Sequence, residues 1–178
     1  MNIIILGPQG SGKSTQAELL AKEFQIPHLQ TGKLFRKIAQ EKTELGQRVK
    51  SRLDKGRLVS DKDTMKIVRP ELGKEKYNKG VVLDGVPRNS SQAKALKLII
   101  DRVIYLEVSD KECIKRLMLR RRSDDTAELI KERLRIYHLK TEPMLDLYQK
   151  KGVLERVDGE RPVEEIHKDI IKKLKVKS

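Results

Sequence analysis

Aromatic side chains are scarce in this sequence: Phe24, Phe35 and four tyrosines make up 3% of it, and they are not clustered. A platform for stacking unpaired bases needs several rings side by side, so a nucleic-acid-binding protein that uses ATP as a switch is a poor fit. Cysteine is scarcer still. Cys113 is the only one, which excludes an intrachain disulfide and a multi-cysteine zinc cluster and suits a reducing, cytoplasmic compartment. Long apolar runs are also missing. The opening MNIIILGPQG breaks at Gly7-Pro8, far short of a signal-peptide core or the roughly 20 residues of a membrane span, so no membrane partner is expected. No repeat, low-complexity tract or long linker divides the chain.

What the chain has in abundance is charge, at 37% of its 178 residues, beside 37% hydrophobic residues, enough for one substantial core and one domain over 1–178. Forty Lys and Arg against 26 Asp and Glu give a formal charge of +14. A polyanionic ligand is favoured over a cationic one, although a solvated surface carries such an excess equally well.

Five short β-branched or apolar runs read as strands. Asn2–Leu6 is continuous rather than alternating, as in a strand buried on both faces. IPHLQTG, GVVLDG (80–85), RVIYLEV (102–108) and GVLERVDG follow, with helical patterns between them. Strand alternating with helix predicts an α/β, three-layer αβα fold around a five-stranded parallel sheet. A helix starts near Lys13, with Ala17, Leu20, Ala21 and Phe24 on one stripe. From Lys33 to about Leu72 the pattern is helical but interrupted at Gly46 and Gly56, which suggests a small helical insert over a site. Ser109 or Asp110 can cap a helix whose Cys113, Ile114, Leu117 and Met118 face the core, with Arg116 and Arg120 on another face. A further helix spans about Asp125 to Leu139.

Three constellations carry chemistry. Gly7-x-x-x-x-Gly12-Lys13-Ser14, behind a strand and ahead of an amphipathic helix, has the P-loop pattern in the context it requires. Gly7, Gly10 and Gly12 let the backbone turn so that amides, including that of Ser11, point inward, and the helix adds its positive pole, together cradling phosphates. Lys13 adds a mobile charge, and a hydroxyl of Ser14 or Thr15 can reach Mg²⁺ directly or through water. In VVLDGVPR, Asp84 ends a strand where a carboxylate can hold the waters of Mg²⁺, and Arg88 can grip a phosphate with both nitrogens; an Asp-Gly pair is equally an ordinary turn. Arg116, Arg120, Arg121, Arg122 and Arg133 either lie on a solvated face or surround several phosphates.

Taken in order, GPQGSGKSTQ, TGKLFR, DGVPRNSSQA and RRSDD…KERL…YHLKTEPMLDLY resemble segments of the nucleoside monophosphate kinases, and most closely of the adenylate kinases, over nearly the full length. The resemblance implies Mg²⁺-dependent, reversible transfer of a phosphoryl group from ATP to AMP, giving two ADP and maintaining adenine nucleotide balance. It implies a P-loop NTPase-type fold with a nucleoside-monophosphate-binding insert over 30–59. By the same resemblance, Lys13 and the loop amides hold the donor phosphates. Thr31, Gly32 and Arg36 contact AMP, Arg88 binds its phosphate, Val59 and Gly85 lie near its base, and Gln92 hydrogen-bonds the base edge. Arg116 stacks on the donor base, and Arg120, Arg122 and Arg133 surround the transferring group.

The chemistry agrees with the composition. An acceptor phosphate oxygen is already anionic and needs no strong base; the problem is to align two repelling polyanions and exclude water, which many arginines and no His/Asp dyad suit. Four departures stand out: Lys33 in place of the usual Asp, Ser14 in place of Gly, Val86 in place of Phe, and almost nothing at about 120–125, where the family carries a lid. A missing lid weakens solvent exclusion, and self-association into an oligomer is one way to cover the site. The alternatives are a UMP/CMP kinase or another P-loop small-molecule kinase, with a nucleic-acid-binding P-loop ATPase further off.

Overall fold

The structure is a computed structural model that describes residues 1–120 and 126–176. Its centre is a sheet of five parallel strands, β1 (Asn2–Leu6), β2 (His28–Gln30), β3 (Val81–Asp84), β4 (Arg102–Glu107) and β5 (Leu154–Asp158), in the order β2-β3-β1-β4-β5. Successive side chains of a strand point to opposite faces, and both faces here are covered. Ile3, Ile5, Val82, Ile104, Leu106 and Val157 pack on one side against Ala17 and Leu20 of α1 (Lys13–Glu23) and against Ile166, Ile170 and Leu174 of α9 (Val163–Val176). Ile4, Leu29, Leu83, Val103, Tyr105 and Leu154 face the other side. There they meet α2 (Thr31–Ile38), α3 (Glu44–Asp54), α4 (Asp61–Leu72), α5 (Ser90–Ala95) and α8 (Met144–Lys150), through residues such as Phe35, Val49, Val68, Leu96 and Met144. The continuous apolar character of β1 and β4 is thereby explained: each feeds two cores.

Two further helices, α6 (Asp110–Arg120) and α7 (Ala127–Ile136), pack together through Cys113, Leu117, Ile130 and Leu134. After α7 the chain widens into one π-type turn over Tyr137–Thr141. The Ser109 hydroxyl accepts from the Glu112 amide at 3.4 Å and caps α6. The α7 cap is Thr126, whose Oγ1 accepts from Leu129 N; Arg121 and Arg122, with the acidic pair after them, lie outside the described residues.

Three sequence expectations shift. Gly46 does not interrupt a helix; it sits in the first turn of α3, capped by Thr43 Oγ1, and the break falls at 39–43. A side chain at position 46 would collide with the carbonyl oxygens of Ile38 and Glu41, so this glycine serves close passage of two backbones rather than helix breaking. Ile114 and Met118, expected in the core, are 36% and 53% exposed. Together with Leu119 they give α6 an apolar outer edge, because only its Cys113–Leu117 stripe meets α7.

The doubly covered sheet sets the stability. Ile104 is fully buried at the middle of β4, between β1 and β5. Ile104→Ala should destabilise the protein by about 2–5 kcal/mol in chemical denaturation, the range for emptying a packed core site; an Ile104→Val variant should lose well under half as much.

Candidate active site

The carboxyl ends of β1 and β3 lie side by side, with Ile5 in register with Asp84, and the loops leaving them form the site. After β1 the chain turns through Gly10, whose φ of +91° suits glycine and whose missing Cβ lets the backbone lie against Cys113 O, 2.6 Å from where that atom would stand. Gly12 then starts α1 without any side-chain cap, and the first amides of a helix have no acceptor within the helix, the arrangement that binds anions at a positive helix pole. Lys13 Nζ donates to Pro8 O at 3.2 Å and so stays folded over this turn.

After β3, Asp84 is 3% exposed and receives several donors. Ser14 Oγ donates to its Oδ2 at 2.5 Å, Gln30 Nε2 lies 3.4 Å from the same oxygen, and the His28 ring is 3.6 Å away. Burial by itself raises a carboxyl, but His28, the Lys13 charge and the Ser14 hydroxyl outweigh it and hold Asp84 at about 2. Lys13 moves the opposite way. Burial, opposed by Asp84 and reinforced by Arg88 and Arg120, pulls its ammonium from 10.5 down to about 8. Burial and the nearby Arg133 also lower Arg88, against the pull of Asp84. Arg88 is held in place: its Nε donates to Gly85 O at 2.9 Å, and its own carbonyl accepts from Thr141 Oγ1 at 2.9 Å.

Two cavities open around these residues. The first has apolar walls, among them Phe35, Leu53, Val59 and Ile136, and the cations Lys13, Arg36, Arg57, Arg88 and Arg133, with no carboxylate among the described residues. The second runs along the P-loop from Gly10 and Gly12 to Thr15 and is also lined by Arg116 and Arg120, with Asp84 as the single acid among the described residues. Arg116 is steadied by Glu112 Oε1 at 2.8 Å and Gly159 O at 2.9 Å. Gln9, Lys13, Gly32, Arg36, Gly85 and Arg88 line both. The cavities therefore meet at a lysine and two arginines.

The adenylate kinase family model matches residues 5–153. The chain belongs to the adenylate kinase family. An adenylate kinase of Staphylococcus aureus strain Mu50 is 37% identical, with 96% of this chain and 97% of that protein aligned. Those of Caldanaerobacter subterraneus and Caldicellulosiruptor bescii are 37% and 35% identical over 98% of this chain. The alignment to the Staphylococcus enzyme runs over 209 positions and this chain has 178 residues, so at least 31 positions face no residue here.

Of the residues that the family resemblance assigns to the acceptor, Gly32, Arg36, Val59, Gly85, Arg88 and Gln92 line the apolar-walled cavity, along with Arg133. Thr31 lines neither cavity; it is fully buried, and its Oγ1 donates to Asp84 O at 3.1 Å. On the donor side, Gly10, Gly12, Lys13, Ser14, Thr15, Arg116 and Arg120 line the second cavity. Gly7 borders the first cavity instead, and Ser11 is wholly buried beneath the loop. Arg122 lies outside the described residues. Sequence reasoning missed Gln9, which sits at a variable place of the P-loop pattern, and Arg57, Tyr137 and Thr141, whose local sequence carries no signal.

The depressed Lys13 ammonium predicts a proton linkage. Above pH 8 a growing fraction of Lys13 is neutral in the empty site, and a bound polyphosphate favours the ammonium, so binding must take up a proton and weaken as pH rises. Titration calorimetry with ATP at pH about 8.5, in two buffers of different ionisation enthalpy, should show uptake on the order of half a proton. Lys13→Met should abolish the uptake.

Proposed function

We propose that this chain is an ATP:AMP phosphotransferase whose apolar-walled cavity takes AMP and whose P-loop cavity takes ATP, with Lys13 and Arg88 between them. One observation carries the reading: two ligand-sized hollows converge on a shared cationic floor, which is what two nucleotides placed phosphate to phosphate require. The amides at the start of α1 and Lys13 bind the donor phosphates, and Arg116 packs on the donor base. Arg88 and Arg36 hold the AMP phosphate in line with them, and its oxygen attacks without a general base. Arg120 and Arg133, with Arg122, stabilise the charge that spreads over the transferring group.

Magnesium enters with ATP. Among the described residues no cluster of three or more His, Cys, Asp or Glu can hold a metal. Asp84, kept ionised, and the Ser14 hydroxyl beside it are hard oxygen donors of the kind that hold Mg²⁺ through water while phosphates complete its shell. When bound, the ion neutralises charge on the β- and γ-phosphates.

The positions without counterpart here fit a lid reduced to about 120–125, and the insert over 30–59 corresponds to the segment bearing Gly32, Arg36 and Val59. No helix among the described residues is long and apolar enough to cross a membrane. A cytoplasmic role in adenine nucleotide balance fits a chain whose one cysteine has no intrachain disulfide partner. Gln92 in the wall of the acceptor cavity favours adenine over the pyrimidine bases of a UMP/CMP kinase, since an amide left unpaired in a buried site is costly.

A panel of AMP, CMP, UMP and GMP with ATP·Mg²⁺ should give AMP as the strongly preferred acceptor and ADP as the only nucleotide product. Lys13→Ala and Arg88→Ala should each lower kcat by two or more orders of magnitude, roughly, with unchanged circular dichroism. Near-parental turnover in either variant would show the roles to be misassigned.

A further inference from the structure

Gln92 lines the acceptor-side cavity and is 2% exposed, and both ends of its amide are already engaged from behind. Its Oε1 accepts from the Arg88 backbone N–H at 2.8 Å, and its Nε2 donates to Asp61 Oδ1 at 2.9 Å. A backbone N–H can only donate and a carboxylate can only accept. Turning the amide over would set donor against donor and oxygen against oxygen, so its sense is fixed by two unlike partners. Asn89 reinforces it. Its Oδ1 accepts from Gln92 N at 2.8 Å at the start of α5, and its Nδ2 donates to the same Asp61 oxygen at 2.8 Å. One carboxylate at the start of α4 thus orients two amides at the start of α5.

A glutamine amide has two N–H donors and two oxygen lone pairs. With one of each used, Gln92 keeps one donor and one acceptor, side by side and in a fixed order. Adenine presents a ring nitrogen acceptor next to an amino donor. Guanine, at the same two positions, presents a ring N–H donor next to a carbonyl acceptor. For a base held in one pose, half a turn of the amide exchanges a fit to one purine for a fit to the other.

We propose that Asp61 is a positioning residue for acceptor selectivity: by accepting from Gln92 Nε2 it locks the amide in the sense that pairs with adenine and opposes guanine. Asp61 does not line the cavity; it acts through Gln92. The inference rests on reading this cavity as the AMP site.

The test compares Asp61→Ala and Asp61→Asn with the parent, with AMP and GMP as acceptors and saturating ATP·Mg²⁺. In Asp61→Ala the kcat/KM preference for AMP over GMP should fall by roughly tenfold or more, the value of one specificity hydrogen bond in a buried site. The loss should lie mainly in the KM for AMP, with kcat and the KM for ATP near parental. Asp61→Asn keeps an oxygen that can accept from both amides and should restore most of the preference. Asp61→Ser, too short to reach Gln92 but polar at the start of α4, serves if the alanine variant does not fold, with the same shift expected. An unchanged AMP-to-GMP preference in a folded Asp61→Ala or Asp61→Ser protein overturns the inference, as does a uniform loss of kcat with both acceptors. Failure of the parent itself to phosphorylate AMP overturns the reading of the cavity, and this inference with it.

Discussion

The carboxylate of Asp84 is the point on which the site is assembled. It ends β3 beside the end of β1, and its Oδ2 receives the Ser14 hydroxyl of α1, while its backbone oxygen receives the Thr31 hydroxyl that opens α2. The helix after the P-loop, β3 and the start of α2 are therefore fixed to one buried residue. Its negative charge also makes possible what surrounds it. Lys13, Arg36, Arg88, Arg116 and Arg120 line one cavity together; Asp84 opposes the effect of burial at Lys13 and Arg88, and Glu112 pairs with Arg116.

The consequence is a site with an excess of positive charge until nucleotides arrive. Burial pushes Lys13 and Arg88 toward the neutral state, with Arg88 and Arg120 adding to it at Lys13 and Arg133 at Arg88, a condition that anionic oxygens would oppose. Folding has brought these groups together in advance, so that binding two polyanions releases unfavourable electrostatics instead of adding to it. Chemistry on an acceptor oxygen that is already anionic depends on holding charge, and fixed donors need no reorganisation as a phosphoryl group moves.

The side away from the P-loop is organised by hydrogen-bond sign more than by charge. Thr141 fixes the Arg88 carbonyl, the Arg88 amide fixes Gln92, and Asp61 closes the chain from α4. These partners come from three separate segments, and their selectivity arises from donors that cannot accept and acceptors that cannot donate.

Much of the fold was legible in the sequence because the signals are local and periodic. Continuous apolar strands, alternation with helices, the glycines of the P-loop and the Ser109 cap each depend on a few neighbouring residues, and so does the anion-binding turn that ends in Lys13. The tertiary structure decided what depends on residues far apart. Gly46 is shaped by a backbone five to eight positions earlier, and Ile114 and Met118 face outward because α7 covers only one stripe of α6. Arg57 and Thr141 join the cavity only through packing. The bonds from Asp61 and Arg88 to Gln92 span 31 and four positions, and the first has no spacing rule behind it. The sequence determined which groups were available and how each segment folds; three-dimensional proximity decided which of them face one another, since hydrogen bonds and charges act over a few ångströms whatever the distance along the chain.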